Sequence, residues 1–152
     1  MAALDPRTYT LLQSRQEQVV ETWVANFAQT GLDGRTTHRE LDAQSREFWQ
    51  LFLNAAASGD AGSLQGSAWE DTRHFLEELS RERVLKGFSA AETASFVFSL
   101  KRPLFDVIEQ GHAAEPQLMA AQLRAVSELV DQLGLHTVKV FQKNREDVIK
   151  RQ

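Results

Sequence analysis

Apolar residues recur at helical spacing along most of this chain, and nowhere do they alternate long enough to make a β-strand. Asp5 followed by Pro6 is an N-cap and first-turn pair. From there Leu12, Val19, Val20, Trp23, Val24 and Phe27 line one face as far as Gly31. A loop over 31–36 holds Gly31 and the turn dipeptide Asp33-Gly34. A second helix carries Leu41, Phe48, Leu51, Phe52 and Ala55 and ends near Ser58-Gly59, where a small, polar loop follows to Ser67. A third carries Trp69, Thr72, Phe75, Leu76 and Leu79 and is closed by Gly87. A fourth runs from Ser89 to about Gly111, and Pro116 opens the last. Five to six helices joined by short loops in 152 residues predict one all-α domain over 1–152, a helical bundle or globin-like fold with a long C-terminal helix.

The segment Gly87–Phe105, GFSAAETASFVFSLKRPLF, carries the most local information. Ser89 and Glu92 have capping-box spacing, in which hydroxyl and carboxylate each satisfy one orphan backbone N–H. Behind that cap Phe96, Val97, Leu100, Leu104, Val107 and Ile108 keep one helical phase across Pro103, so a single helix bent at Pro103 is expected. Proline deprives the carbonyl four residues earlier, that of Ser99, of its donor. Lys101 and Arg102 stand at the same bend, so Ser99, Lys101, Arg102 and Pro103 form a candidate anion or kink site. A bend that only wraps the helix around the core is the commoner use of such a proline.

The last helix, about 117–152, has two stripes. Val126, Leu129, Val130, Leu133, Val140, Phe141 and Val148 cluster on one arc, a core-facing pattern. Leu135, Val138, Gln142, Arg145 and Ile149 are spaced 3-4-3-4, the seam spacing of a coiled coil, with two polar members. One broad core face is the simpler reading. Two separate faces imply a partner, and a homodimer through the second strip is the expectation. The tail NREDVIKRQ has no stop signal, so the helix is expected to lead toward a downstream domain that this chain does not include.

The chemistry of the chain is sparse. Net charge is −4, which argues against nucleic acid as partner for the domain. There is no cysteine, hence neither a disulfide framework nor a thiol nucleophile. No apolar run approaches the ~18 residues of a membrane span, and the N-terminus lacks a signal-peptide pattern, so a cytoplasmic protein is expected. Of four histidines, His38 and His74 fall on polar faces and His112 follows Gly111 in a loop. His136 flanks the apolar arc of the last helix and is a weak haem candidate, more simply a histidine at the core edge. No His pair has i, i+4 spacing, and H-E-x-x-H, G-x-S-x-G, P-loop and G-x-G-x-x-G motifs are missing, so no catalytic residue, metal or cofactor is assigned. Three tryptophans and nine phenylalanines at helical spacing read as core before they read as a ligand cavity.

Leu79–Phe105, with LSRERVLKGFS leading into AAETASFVFSLKRPLF, resembles the N-terminal sensor domain of RsbR/RsbRD-type stressosome proteins, and NREDVIKRQ resembles the helix that leads into their STAS domain. The resemblance implies a globin-like, generally haem-free sensory domain that dimerises. It implies partners reached through the full-length protein: STAS-domain scaffold proteins such as RsbS, and the serine/threonine kinase RsbT. The family signature carries no catalytic residues, and none is transferred. The alternatives are a haem-based gas sensor of the same fold and, from another class, a small helical-bundle enzyme.

Overall fold

The structure is a computed structural model in which residues 4–31, 34–58 and 64–150 are described. Most of the loop read at 59–67, Asp33 of the turn dipeptide and the last two residues lie outside them. Among the described residues all regular structure is helical: α1 (Pro6–Ser14), α2 (Gln16–Gly31), α3 (His38–Ala57), a 3₁₀ turn (Ser67–Trp69), α4 (Glu70–Leu85), α5 (Ala90–Phe98), α6 (Lys101–Gly111) and α7 (Pro116–Lys150). The five helices of the sequence reading are all present, two of them broken. The first breaks at Arg15, and the fourth breaks at Ser99-Leu100.

Local signals set the starts. Asp5 accepts from the Arg7 N–H at 2.8 Å ahead of Pro6. Thr37 and Glu40 close a capping box at α3, and Ser89 and Glu92 close one at α5. At the end of α4 the Gly87 N–H donates to the Val84 carbonyl and the Phe88 N–H to the Arg83 carbonyl, a Schellman closure. Gly87 stands at φ +82°, where a side chain would be strained.

The apolar stripes meet in one core. α7 lies along α4, α5 and α6, and α1, α2 and α3 pack among themselves and onto α6 and α4. Trp23, Phe48 and Phe96 form an aromatic knot, with the Trp23 ring 4.7 Å from Phe96 and 5.9 Å from Phe48. Trp49 stacks on Phe52, which meets Trp69 edge-on. All three tryptophans are buried, so these rings fill the core. In α7, Val126, Leu129, Val130, Leu133 and Phe141 are buried, while Val140 and Val148 are half-buried at the edge of the arc.

α5 runs antiparallel to α7. Lys101 pairs with Asp131 at 2.6 Å, Phe98 lies against Gly134, and Ser89 and Glu92 flank a cleft with Phe141. Gly134 is a packing glycine: a Cβ there would overlap the Phe98 ring.

Candidate functional site

The segment of highest local information folds into the junction of α3, α4 and α5. The Arg35 guanidinium donates to Glu92 at 2.5 Å and to the Gly87 carbonyl at 3.1 Å, and it lies 4.0 Å over the Phe88 ring. Arg83 lies 4.7 Å from the same ring. Phe88 therefore carries two guanidiniums, an arrangement favoured by the ring quadrupole.

Arg83 is only 2 % exposed. It donates to the Thr36 hydroxyl and to Gln44 Oε1 at 2.7 Å, and its nearest carboxylate, Glu82, is at 3.8 Å. Gln44 in turn donates to Glu82 at 3.1 Å, and Lys86 bridges Glu82 and Glu40 at 3.1 Å each. Burial draws the Arg83 guanidinium below its ordinary pKa. The Lys86 ammonium and the Thr37 N–H hold the Glu40 carboxyl down at about 2. Arg35 and the Ser89 N–H do the same for Glu92, also at about 2. The network fastens the start of α3, the end of α4 and the start of α5 to one another.

This junction abuts the C-terminal half of α7 across a cleft of about 360 Å³ lined by Phe88, Ser89, Glu92, Phe141 and Arg145. Arg145 is a member of the 3-4-3-4 strip. Within that strip Leu135 is 60 % and Ile149 59 % exposed, Gln142 and Arg145 are exposed, and Val138 is half-buried. The second stripe therefore lies on a different face of α7 from the core arc.

The bend differs from the sequence expectation. The discontinuity falls at Ser99-Leu100, and Pro103 is the third residue of the new helix α6. The reason is steric: the ring crowds the carbonyl four residues back, so the strain appears before the proline. The Leu100 N–H tightens onto the Val97 carbonyl at 3.1 Å, which frees the Phe96 carbonyl. That carbonyl accepts from the Trp23 indole N–H at 3.0 Å and from the Ser99 hydroxyl at 2.8 Å. Of the two cations at the bend, Lys101 is engaged by Asp131 of α7, and Arg102 is exposed. Asp131 lies one turn before Leu135, so the bend is tied to the start of the exposed strip.

His136 is half-buried, and its Nε2 is enclosed without a hydrogen-bond partner. Burial lowers its pKa against the opposing pull of Glu77. The cleft beside it, with Leu64, Gln132 and Lys139 in its wall, is about 270 Å³, below the ~300–1,000 Å³ of small-molecule pockets. His38 and His74 are exposed, as expected. His112 follows Gly111 in the turn after α6, as expected, but it is buried: it is 6 % exposed, and its Nε2 lies 2.9 Å from the Thr8 hydroxyl.

Sequence reading missed Arg35, Arg83 and the Thr37/Glu40 box. The last two had visible signals. Arg83 lies at i+4 and i+7 from the buried Leu79 and Leu76, and Thr37-x-x-Glu40 has capping-box spacing. Among the described residues no helix is long and apolar enough to cross a membrane, and no group of three or more His, Asp or Glu is placed to hold a metal ion.

No curated protein and no solved structure matches the chain significantly. The family described as RsbT co-antagonist protein rsbRD N-terminal domain matches residues 17–152, nearly the whole length and all of the junction, bend and strip described above. The chain belongs to this RsbT co-antagonist family, as an rsbRD-type N-terminal domain.

Proposed function

We infer that this is a non-catalytic, non-haem, globin-like sensory domain of a stressosome-type regulator, which passes a signal through α7 to a downstream STAS domain. The family match over residues 17–152 carries the reading. Three features support the route. The α3/α4/α5 junction abuts α7 near Arg145, the bend is tied to Asp131, and both connect to a helix with an exposed strip. A small shift of packed helices at either place moves α7 along or about its axis.

In this reading the domain is a cytoplasmic homodimer that uses Leu135, Val138, Gln142, Arg145 and Ile149, since an exposed apolar strip on a charged surface favours a partner. STAS scaffold proteins and the serine/threonine kinase are reached through the full-length protein. The test is made in that full-length protein. Leu135→Glu with Ile149→Glu should leave scaffold assembly intact and abolish stress-dependent release of the kinase; an unaltered stress response contradicts the reading.

The unpartnered Nε2 of His136 favours one second reading, a haem-based gas sensor. Titration with haemin separates the two: a Soret band that saturates at one haem per chain and is lost in His136→Ala would establish the second.

A further inference from the structure

α3 and α4 leave an open groove of about 680 Å³ between them. Its floor is apolar: Leu51 and Phe75 are half-buried, Leu79 is buried, and Leu85 at one end is 69 % exposed, the most exposed large apolar side chain among the described residues. Its rim is acidic, with Glu47, Asp71, Glu78 and Glu82. Elsewhere the domain pairs many of its surface charges, as in Arg46 with Glu17 and Asp42. Glu47 and Asp71 have no ion-pair partner among the described residues, and Arg81, the one rim cation, is held by Glu78 at 3.1 Å. From Asp71 to Leu85 the groove runs along about 21 Å of helix at ~1.5 Å per residue, enough for four turns of a docked helix.

The complementary surface is on the same chain. Among the described residues Leu135 and Ile149 are the other two highly exposed large apolar side chains. Beside them on α7 stand Lys139, Lys143, Arg145 and Lys150, all exposed and without an ion-pair partner among the described residues. One surface is apolar with acids at its edge; the other is apolar with these four bases and two exposed acids, Glu146 and Asp147, beside it, a net positive edge. Parallel strip-on-strip pairing would place Arg145 against its own copy, and antiparallel pairing about Gln142 would place it near Lys139, like-charge contacts that cost affinity. Strip-in-groove pairing sets the same cations against unpaired carboxylates.

We propose that the α3/α4 groove is the docking site for the exposed strip of α7 of a second copy of this chain. This rests on the reading that the domain self-associates through α7, and it names the surface that α7 meets. The contact joins two different patches, so a pair that uses it once leaves one strip and one groove open, unless two such contacts close about a two-fold axis.

The chain has no cysteine, so single-cysteine variants report cleanly. Glu78 and Gln142 stand at the middles of groove and strip, which makes the test independent of the docked direction. Glu78→Cys protein is mixed with Gln142→Cys protein and treated with a short bis-maleimide. The proposal predicts that the mixed 78–142 product exceeds both self-products at least fivefold. Dominance of the 142–142 product overturns it while leaving self-association through α7 standing; no product together with a monomeric mass overturns both. A charge swap gives a second arm that any disturbance by the cysteines leaves untouched. Glu47→Lys with Asp71→Lys should weaken association at least tenfold, and Lys139→Glu with Lys143→Glu in the mixed partner should restore it. Failure of that rescue overturns the proposal.

Discussion

The indole N–H of Trp23 donates to the Phe96 carbonyl at 3.0 Å, across the core from α2 to the last turn of α5. The bond exists because Pro103 breaks the helix behind it: the Leu100 N–H turns to Val97, and Phe96 loses its usual donor. A buried carbonyl without a donor is costly, and Trp23 together with Ser99 Oγ removes that cost.

Trp23→Phe keeps the ring in the aromatic knot and deletes the donor. It should cost about 1–2 kcal/mol in urea unfolding. Combined with Pro103→Ala, which gives the Ser99 carbonyl its donor back, the two changes should be non-additive by at least about 0.5 kcal/mol. Simple additivity would mean that the break and the indole bond are independent.

Arg83→Met replaces a buried guanidinium by an apolar chain of similar length and leaves the Thr36 hydroxyl and the Gln44 carbonyl oxygen unpaired. A loss of about 2 kcal/mol or more is expected, because hydrogen bonds from charged groups are the stronger ones. Arg83→Lys should recover only part of it, since one ammonium does not reproduce the planar fork. Denaturant midpoints of the three proteins provide the comparison.

Acid should loosen the same junction. Glu40 and Glu92 have folded-state pKa values of about 2, well below the ordinary 4.5. Groups depressed in the folded state contribute stability above their unfolded pKa and lose it as pH falls through the folded value. Thermal unfolding between about pH 4.5 and pH 2 should therefore show a falling Tm. The slope should flatten in Glu40→Gln plus Glu92→Gln, where the capping geometry survives without the charge. An unchanged slope in the double variant would remove these two carboxylates from the account.

Gly134→Ala would ordinarily stabilise a helix interior by about 1 kcal/mol. Here the added Cβ meets the Phe98 ring, so overpacking should reverse the sign and leave the variant about 1 kcal/mol or more less stable. In a Phe98→Ala background the same change should return to stabilising. Calorimetric Tm values of the four proteins close the cycle.

The parts legible in the sequence are those that local chemistry decides. The Asp5-Pro6 and Ser89/Glu92 starts and most of the core stripes from Leu12 to Phe141 lie where spacing put them, with Leu51, Phe75 and Val140 half-buried at the edge. The bend at Pro103 was legible in kind and displaced by three to four residues, because the ring acts on the turn before it. The Arg35–Glu92 pair, the two guanidiniums on Phe88 and the His112–Thr8 bond were hidden, since each joins residues brought together only by the tertiary fold. The 3-4-3-4 strip was legible as a pattern. Its separation from the core arc became visible only with the exposure of Leu135 and Ile149.

Whether that strip is a working surface is the centre of the account, and sedimentation velocity on the purified chain at tens of micromolar tests it most directly. A working strip gives a weight-average mass above that of one chain that rises with concentration, and Leu135→Glu plus Ile149→Glu gives a single-chain mass with unchanged helicity. A wild-type protein that sediments as one chain across that range, identically to the double variant, would contradict it.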